Sequence, residues 1–154
     1  MKDDKFSDPI AARKKAMDYL ARREHGREEL INKLRRAGFE HDTVNEAVAR
    51  LVADRLQCDA RFVEAFIAAR INQGKGPLRI CADLRERGIA DAAIFEGLEA
   101  AAHDWHAAAL EVRRKKFGAR RPADFKDKAR QMRFLQSRGF DTDQIQAAVS
   151  APTE

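Results

Sequence analysis

The chain repeats itself about every fifty residues. Gly38 and Gly88 stand fifty positions apart and Gly88 and Gly139 fifty-one, and each glycine closes a similar stretch: Leu34-Arg35-Arg36-Ala37-Gly38-Phe39, Leu84-Arg85-Glu86-Arg87-Gly88-Ile89 and Leu135-Gln136-Ser137-Arg138-Gly139-Phe140. Self-similarity at this period marks one small supersecondary unit used several times, and 154 residues leave room for three copies. A chain of this length is also too short for a multidomain enzyme.

Within each copy the apolar residues recur at helical spacing, and the β-branched alternation that marks strands is missing. In the first copy Asp8-Pro9 supplies a cap and a first-turn proline, with Ala16, Tyr19 and Leu20 following until the break at His25-Gly26. Leu30, Ile31 and Leu34 form the stripe of a second helix that ends at Gly38, where a left-handed cap needs a residue without Cβ. Val44, Val48, Leu51 and Val52 lie on a third, beginning near Asp42. The second copy repeats this with Asp59 as cap before Phe62, Val63, Phe66 and Ile67, with Pro77 before Ile80, Cys81 and Leu84, and with Asp91 before Ile94 and Leu98. The third places Leu110 and Phe117 on one helix, Pro122 at the start of the next with Met132 and Leu135, and Ile145 and Val149 on the last.

The expected fold is therefore all-α: three tandem three-helix repeats over residues 9–56, 57–102 and 103–150, with flexible termini at 1–8 and 151–154. Each unit is too small to bury its apolar faces alone, so the units are expected to stack into an elongated, curved body, which suits lying along a filament or groove better than enclosing a small substrate. The 44% apolar content is enough for a core. The charged start MKDDKFSDP has no signal-peptide character and no window resembles a membrane span, so a cytoplasmic monomer away from membranes is expected. Cys58 and Cys81 lack CxxC spacing and read as reduced thiols.

Charge is concentrated in one segment. Residues 1–110 carry 19 basic and 19 acidic side chains, whereas 111–138 carry 11 basic and 3 acidic, a local +8 that exceeds the +5 of the whole chain. A local excess of this size fits a polyanion or an acidic protein surface. The candidate contact residues are Arg113, Arg114, Lys115, Lys116, Arg120, Arg121, Lys126, Lys128, Arg130 and Arg133. Phe134 stands where the first copy has Lys33, which leaves it either partly exposed for stacking or packed against Phe125. Secondary candidates are Arg22, Arg23, Arg35 and Arg36, interleaved with Glu24, Glu28 and Glu29, and Arg61, Arg70, Lys75 and Arg79 in the middle copy. Arg61 is equally placed to pair with Glu64.

No catalytic constellation is present in the sequence, and neither an enzyme nor a cofactor is expected. His103 and His106, at i and i+3, with Cys81 or Asp104 as a third ligand, make a weak zinc set without a four-ligand pattern. Trp105 and these histidines fit a junction between repeats better. Gly74-Lys75-Gly76 lacks the spacing and the following Ser or Thr of a phosphate loop and reads as a helix-to-helix turn.

Asp59-Ala60-Arg61-Phe62 followed by Gly74-Lys75-Gly76-Pro77-Leu78-Arg79-Ile80 resembles the RecX family, bacterial regulators of the RecA recombinase. Ala21-Arg22-Arg23-Glu24, Asp104-Trp105, Arg114-Lys115-Lys116-Phe117-Gly118 and Gln131-Met132-Arg133-Phe134-Leu135 extend the likeness over almost the whole chain. Lys75 replaces the usual aromatic between the glycines, and Arg55-Leu56-Gln57-Cys58 replaces a usual Gly-aromatic-Leu-Asp approach. The resemblance implies a non-enzymatic protein that binds the RecA filament on DNA and restrains its ATPase, strand-exchange and co-protease activities in recombinational repair and the SOS response, meeting single-stranded DNA weakly or through the filament. The competing reading is a helical module that binds nucleic acid directly.

Overall fold

A computed structural model describes residues 4–153. Nine α-helices follow in order among the described residues: α1 (Pro9–Arg22), α2 (Arg27–Arg36), α3 (His41–Ala53), α4 (Asp59–Asn72), α5 (Pro77–Glu86), α6 (Asp91–Ala101), α7 (Trp105–Phe117), α8 (Phe125–Arg138) and α9 (Thr142–Val149). The all-helical, three-by-three organisation expected from the glycine spacing is what forms.

Local chemistry sets the helix ends. Asp8 accepts the Ile10 N–H at 2.9 Å with Pro9 in the first turn of α1. Asp104 caps α7 through Ala107, and Asp141 and Gln144 form a reciprocal capping box at α9 with bonds of 2.8 and 2.9 Å. Pro122 does not open α8, contrary to expectation; Asp124 caps it by accepting the Asp127 N–H at 2.8 Å, so the helix begins three residues later at Phe125. Gly38, Gly88 and Gly139 all adopt positive φ, as the shared Leu-x-x-x-Gly stretch requires.

By their contacts the residues form two compact units that do not follow the repeat spacing. Among the described residues, one takes in those up to Ala65 together with Arg85–Ala93; the other takes in Phe66–Leu84 and those from Ile94 onward. The core of the first gathers Ala12, Ala16, Leu30, Leu34, Phe39, Val44, Val48 and Leu51 from α1, α2 and α3, with Tyr19 and Leu20 at its edge. The second has a core of Ala109, Leu135, Phe140, Ile145, Ala148 and Val149, edged by Trp105, Val112, Met132 and Phe134. In the middle repeat Phe62, Val63, Ile67, Ile80, Leu84, Ile89 and Ile94 are buried.

The chain ends make contacts of their own. Residues 1–3 and 154, part of the expected flexible termini, lie outside the described residues. Asp4–Ser7 forms a 3-10 turn whose Phe6 meets Phe39 edge-on at 5.5 Å, and Glu40 donates its N–H to the Phe6 carbonyl. At the other end Arg121 Nε donates to the Ala151 carbonyl at 3.1 Å and Arg114 to that of Pro152 at 3.2 Å. A half-buried ring and two guanidiniums thus tie these segments to the helices.

Candidate functional site

The family-like residues of the middle repeat form two latches. Gly26 stands at the N-cap of α2 without a side chain to satisfy the first-turn amides. Asp59 supplies the missing acceptor from the start of α4: its Oδ1 takes the Arg27 N–H at 2.8 Å and a Gln57 amide hydrogen at 2.9 Å. Gln57, itself buried, also donates to the His25 carbonyl. Two residues on, Arg61 pairs with Glu24 at 3.3 Å, not with Glu64, and the Phe62 ring lies where a Cβ on Gly26 would be tightly crowded. Asp59-Ala60-Arg61-Phe62 is thereby a clasp on the turn between α1 and α2.

The second latch belongs to Gly76-Pro77-Leu78-Arg79. Gly76 donates its N–H to the Arg138 carbonyl at 2.7 Å and Leu78 to that of Gly139 at 2.9 Å. These carbonyls close α8 and have no further helical turn to bond. Any Cβ on Gly76 would land in the backbone of Gly139, and one on Gly139 in Arg79, so both positions must be glycine for the backbones to approach. Arg79 adds a bond to the Ser137 carbonyl and an ion pair with Asp83 at 3.8 Å.

Several expected contact residues have partners within the chain. Arg70 pairs with Asp83 at 3.6 Å, lies over the Phe66 ring and donates to Gln73. Arg23 forks onto both Glu29 oxygens at 2.9 and 3.0 Å, and Arg87 approaches the same carboxylate. Burial raises the Glu29 carboxyl, but the Arg23 bonds outweigh it and hold the group below its usual range. Arg22, Arg35 and Arg36 remain exposed on the surface.

Arg113 is the clearest departure. It is fully buried, with Nη1 donating to the Arg120 carbonyl at 3.0 Å and to Gln131 Oε1 at 3.2 Å, while Nε and Nη2 have no partner. It cannot reach a partner protein or DNA. Burial first, and Arg114 second, push its pKa down. Its place one turn from the buried Ala109 puts it on the inner face of α7, and its role is to hold the loop between α7 and α8.

The other cations of 111–138 surround α7 and α8. Lys115, Lys116, Arg120, Arg121, Lys126, Arg130 and Arg133 are exposed, and Arg114 and Lys128 half-buried. Arg130 pairs with Asp127 at 2.8 Å and lies over the Phe117 ring at 5.0 Å. The Ala123 N–H and the Arg130 guanidinium hold the Asp127 carboxyl below its usual range. Phe134 does not meet Phe125, which is 86% exposed; it meets Phe117 edge-on at 5.4 Å. Lys128 and Arg133 line one groove with Phe125 and Leu78, of about 640 Å³. Lys115 and Lys116 line another, of about 560 Å³, together with Lys75, Phe134 and Arg138. Arg138 is a cation of this groove that the sequence reading left out, although the density of basic residues up to position 138 pointed to it.

His103 and Trp105 contact edge-on at 4.8 Å. Among the described residues no three His, Cys, Asp or Glu side chains gather into a metal-binding group. No helix among them is long and apolar enough to cross a membrane.

Comparison with known proteins agrees in order with the three repeats. Residues 12–51, 59–98 and 104–149 match, respectively, the first, second and third three-helix domains of RecX. The chain is 46% identical over 144 residues to the regulatory protein RecX of Halorhodospira halophila, covering 94% of this chain and 89% of that one. It is 44% identical over 137 residues to that of Pseudomonas entomophila, covering 89% and 88%. The fold is similar to the crystal structure of RecX from Lactobacillus salivarius, with a TM-score of 0.73 at 20% identity over 95% of each chain. Helical pattern, repeat order and sequence identity over most of the length converge, and the chain belongs to the RecX family of regulatory proteins.

Proposed function

We propose that this protein is a non-enzymatic regulator that binds the RecA filament assembled on DNA and restrains its ATPase, strand-exchange and co-protease activities, in recombinational repair and the SOS response. The observation that carries the reading is the exposed basic surface of α7 and α8, from which only Arg113 is withdrawn into the interior. Like charges crowded on adjoining helices repel one another, and a partner surface of opposite sign relieves that cost. A filament of protein on DNA presents both phosphates and protein carboxylates along its length. Cytoplasmic location belongs to this reading.

The test is fluorescence anisotropy of the labelled protein against bare single-stranded DNA, RecA alone, and RecA filaments held with an ATP analogue, at two salt concentrations. Filament binding much tighter than to either component supports the proposal. Equal affinity for bare DNA and filament overturns it in favour of a direct nucleic-acid module, a reading that the same basic surface favours.

A further inference from the structure

The groove lined by Lys75, Lys115, Lys116 and Arg138 stands apart from the rest of the basic surface. Its walls come from the turn after α4, from α7 and from α8, so four cations from three parts of the sequence face one recess of about 560 Å³. Glu111 is the acid on its rim. Phe134 lies half-buried in the same recess, with the Lys116 ammonium 5.5 Å and the Arg138 guanidinium 5.1 Å from its ring centre. Phe117 buttresses that ring edge-on, which fixes the platform beneath both cations. Lys75 feels the crowding: its pKa is pushed down by partial burial, then by Arg138 and Arg79. Mutual repulsion is thus tolerated where a ring holds long, flexible cations in place.

We propose that this groove seats the backbone of a single-stranded nucleic acid, with Lys75, Lys115, Lys116 and Arg138 meeting successive phosphates and the Phe134 ring keeping two of those cations oriented. The inference deepens the function proposed above, resting on it only in taking the basic surface as a contact site. Cations on facing walls suit a flexible strand that can enter a recess, while the phosphates of a duplex ride on a stiff convex cylinder. A positively charged groove that tracks the backbone is also the recurring arrangement for strands bound without regard to sequence, with cations over aromatic rings contributing.

The test uses the full chain and a fluorescein-labelled oligo-dT, titrated by anisotropy across salt. Lys115→Ala/Lys116→Ala, at two exposed positions, is expected to retain wild-type helicity, lose roughly tenfold in affinity near 0.1 M salt and flatten the log-log salt slope by about 1.4. Lys14→Ala/Arg50→Ala removes the same charge from exposed positions on α1 and α3 and is expected to change affinity by less than about twofold. Phe134→Leu keeps apolar volume without the ring and is expected to weaken oligo-dT several-fold. Equal loss in the Lys14/Arg50 control, or no oligo-dT binding by the wild type, overturns the groove. So does polyglutamate binding that depends on Lys115 and Lys116 when oligo-dT binding does not, since the seat then belongs to an acidic protein segment. The same variants against RecA filaments separate the two proposals. Oligo-dT binding that depends on the groove, in a protein that ignores filaments, keeps the groove and ends the RecA reading; filament binding by a protein that ignores oligo-dT does the reverse.

Discussion

Asp59 caps a helix it does not belong to. Its Oδ1 accepts the N–H of Arg27, 32 positions earlier, and closes the N-terminus of α2 where Gly26 has nothing to offer. A carboxylate near the positive end of a helix also interacts favourably with its dipole. Asp59→Ala is expected to cost about 1–2 kcal/mol in urea unfolding, as loss of an N-cap does, with Asp59→Asn retaining most of the stability. An unchanged midpoint in Asp59→Ala would remove the clasp from the account of this motif.

At the second latch, Gly76→Ala has no room: the new methyl would fall in the backbone of Gly139. Separating the two strands of backbone also breaks the Gly76 and Leu78 bonds to the end of α8. A loss of more than about 3 kcal/mol is expected, among the larger effects of a single substitution. Thermal unfolding checks it, and a fall in Tm of only a degree or two would show that the approach can relax.

Leu84 is fully buried in α5. Truncation to Ala is expected to cost roughly 2–5 kcal/mol through lost burial and the residual cavity. Urea unfolding with a change below about 1 kcal/mol would show a site able to collapse around the smaller side chain.

Acid should weaken the fold through His25. The buried ring has Nδ1 3.1 Å from the Arg23 carbonyl and Nε2 2.9 Å from the Lys33 ammonium, an arrangement that suits a neutral ring protonated on Nδ1. Desolvation lowers its pKa, the Arg23 carbonyl partly opposes this, and the charges of Arg23 and Lys33 lower it further against Glu29. Because the folded value lies below the ordinary 6.5, the unfolded chain takes up the proton first. The stability contribution is full above about pH 6.5 and is lost as pH falls through the folded value. Denaturation midpoints between pH 8 and 5 should fall more steeply in the wild type than in His25→Gln, and parallel curves would exclude His25 as the source.

Arg113 and its neighbours should separate folding from binding. Arg113→Ala removes the bonds to Arg120 and Gln131 and leaves a cavity, so a loss of roughly 2–4 kcal/mol is expected. Reversing Lys115, Lys116, Lys126 and Arg133 to Glu is expected to leave helicity intact and weaken filament binding at least tenfold. Unchanged filament affinity in that variant would remove the basic surface from the proposed function.

The glycine period and the apolar spacing made the helices and their grouping legible because both are local: a residue at i and one at i+4 share a face whatever else the chain does. The latches were not legible in the same way. The Asp59 motif was visible as a pattern, but the turn it clasps lies 32 residues away, and sequence reading made it the cap of its own helix. Arg113 carried a readable signal, since Trp105, Ala109 and Arg113 follow one another at four-residue spacing along α7, yet the run of basic neighbours hid it. Phe134 meets Phe117 instead of Phe125 because Phe125 and Phe134 stand nine residues apart on the one helix α8, about 13.5 Å along its axis, whereas α7 packs alongside.

The clasps have a consequence for cutting and pasting this chain. A fragment ending at residue 56 would keep α2 but leave the Arg27 amide without Asp59, and one beginning at 103 would keep α8 but strip the Arg138 and Gly139 carbonyls of the amides of Gly76 and Leu78. The middle copy brings the keys and its neighbours hold the locks. Duplicating, deleting or transplanting a copy at its sequence border therefore orphans hydrogen-bonding groups on a neighbour, so the tandem period records a way of building the chain rather than a set of interchangeable parts.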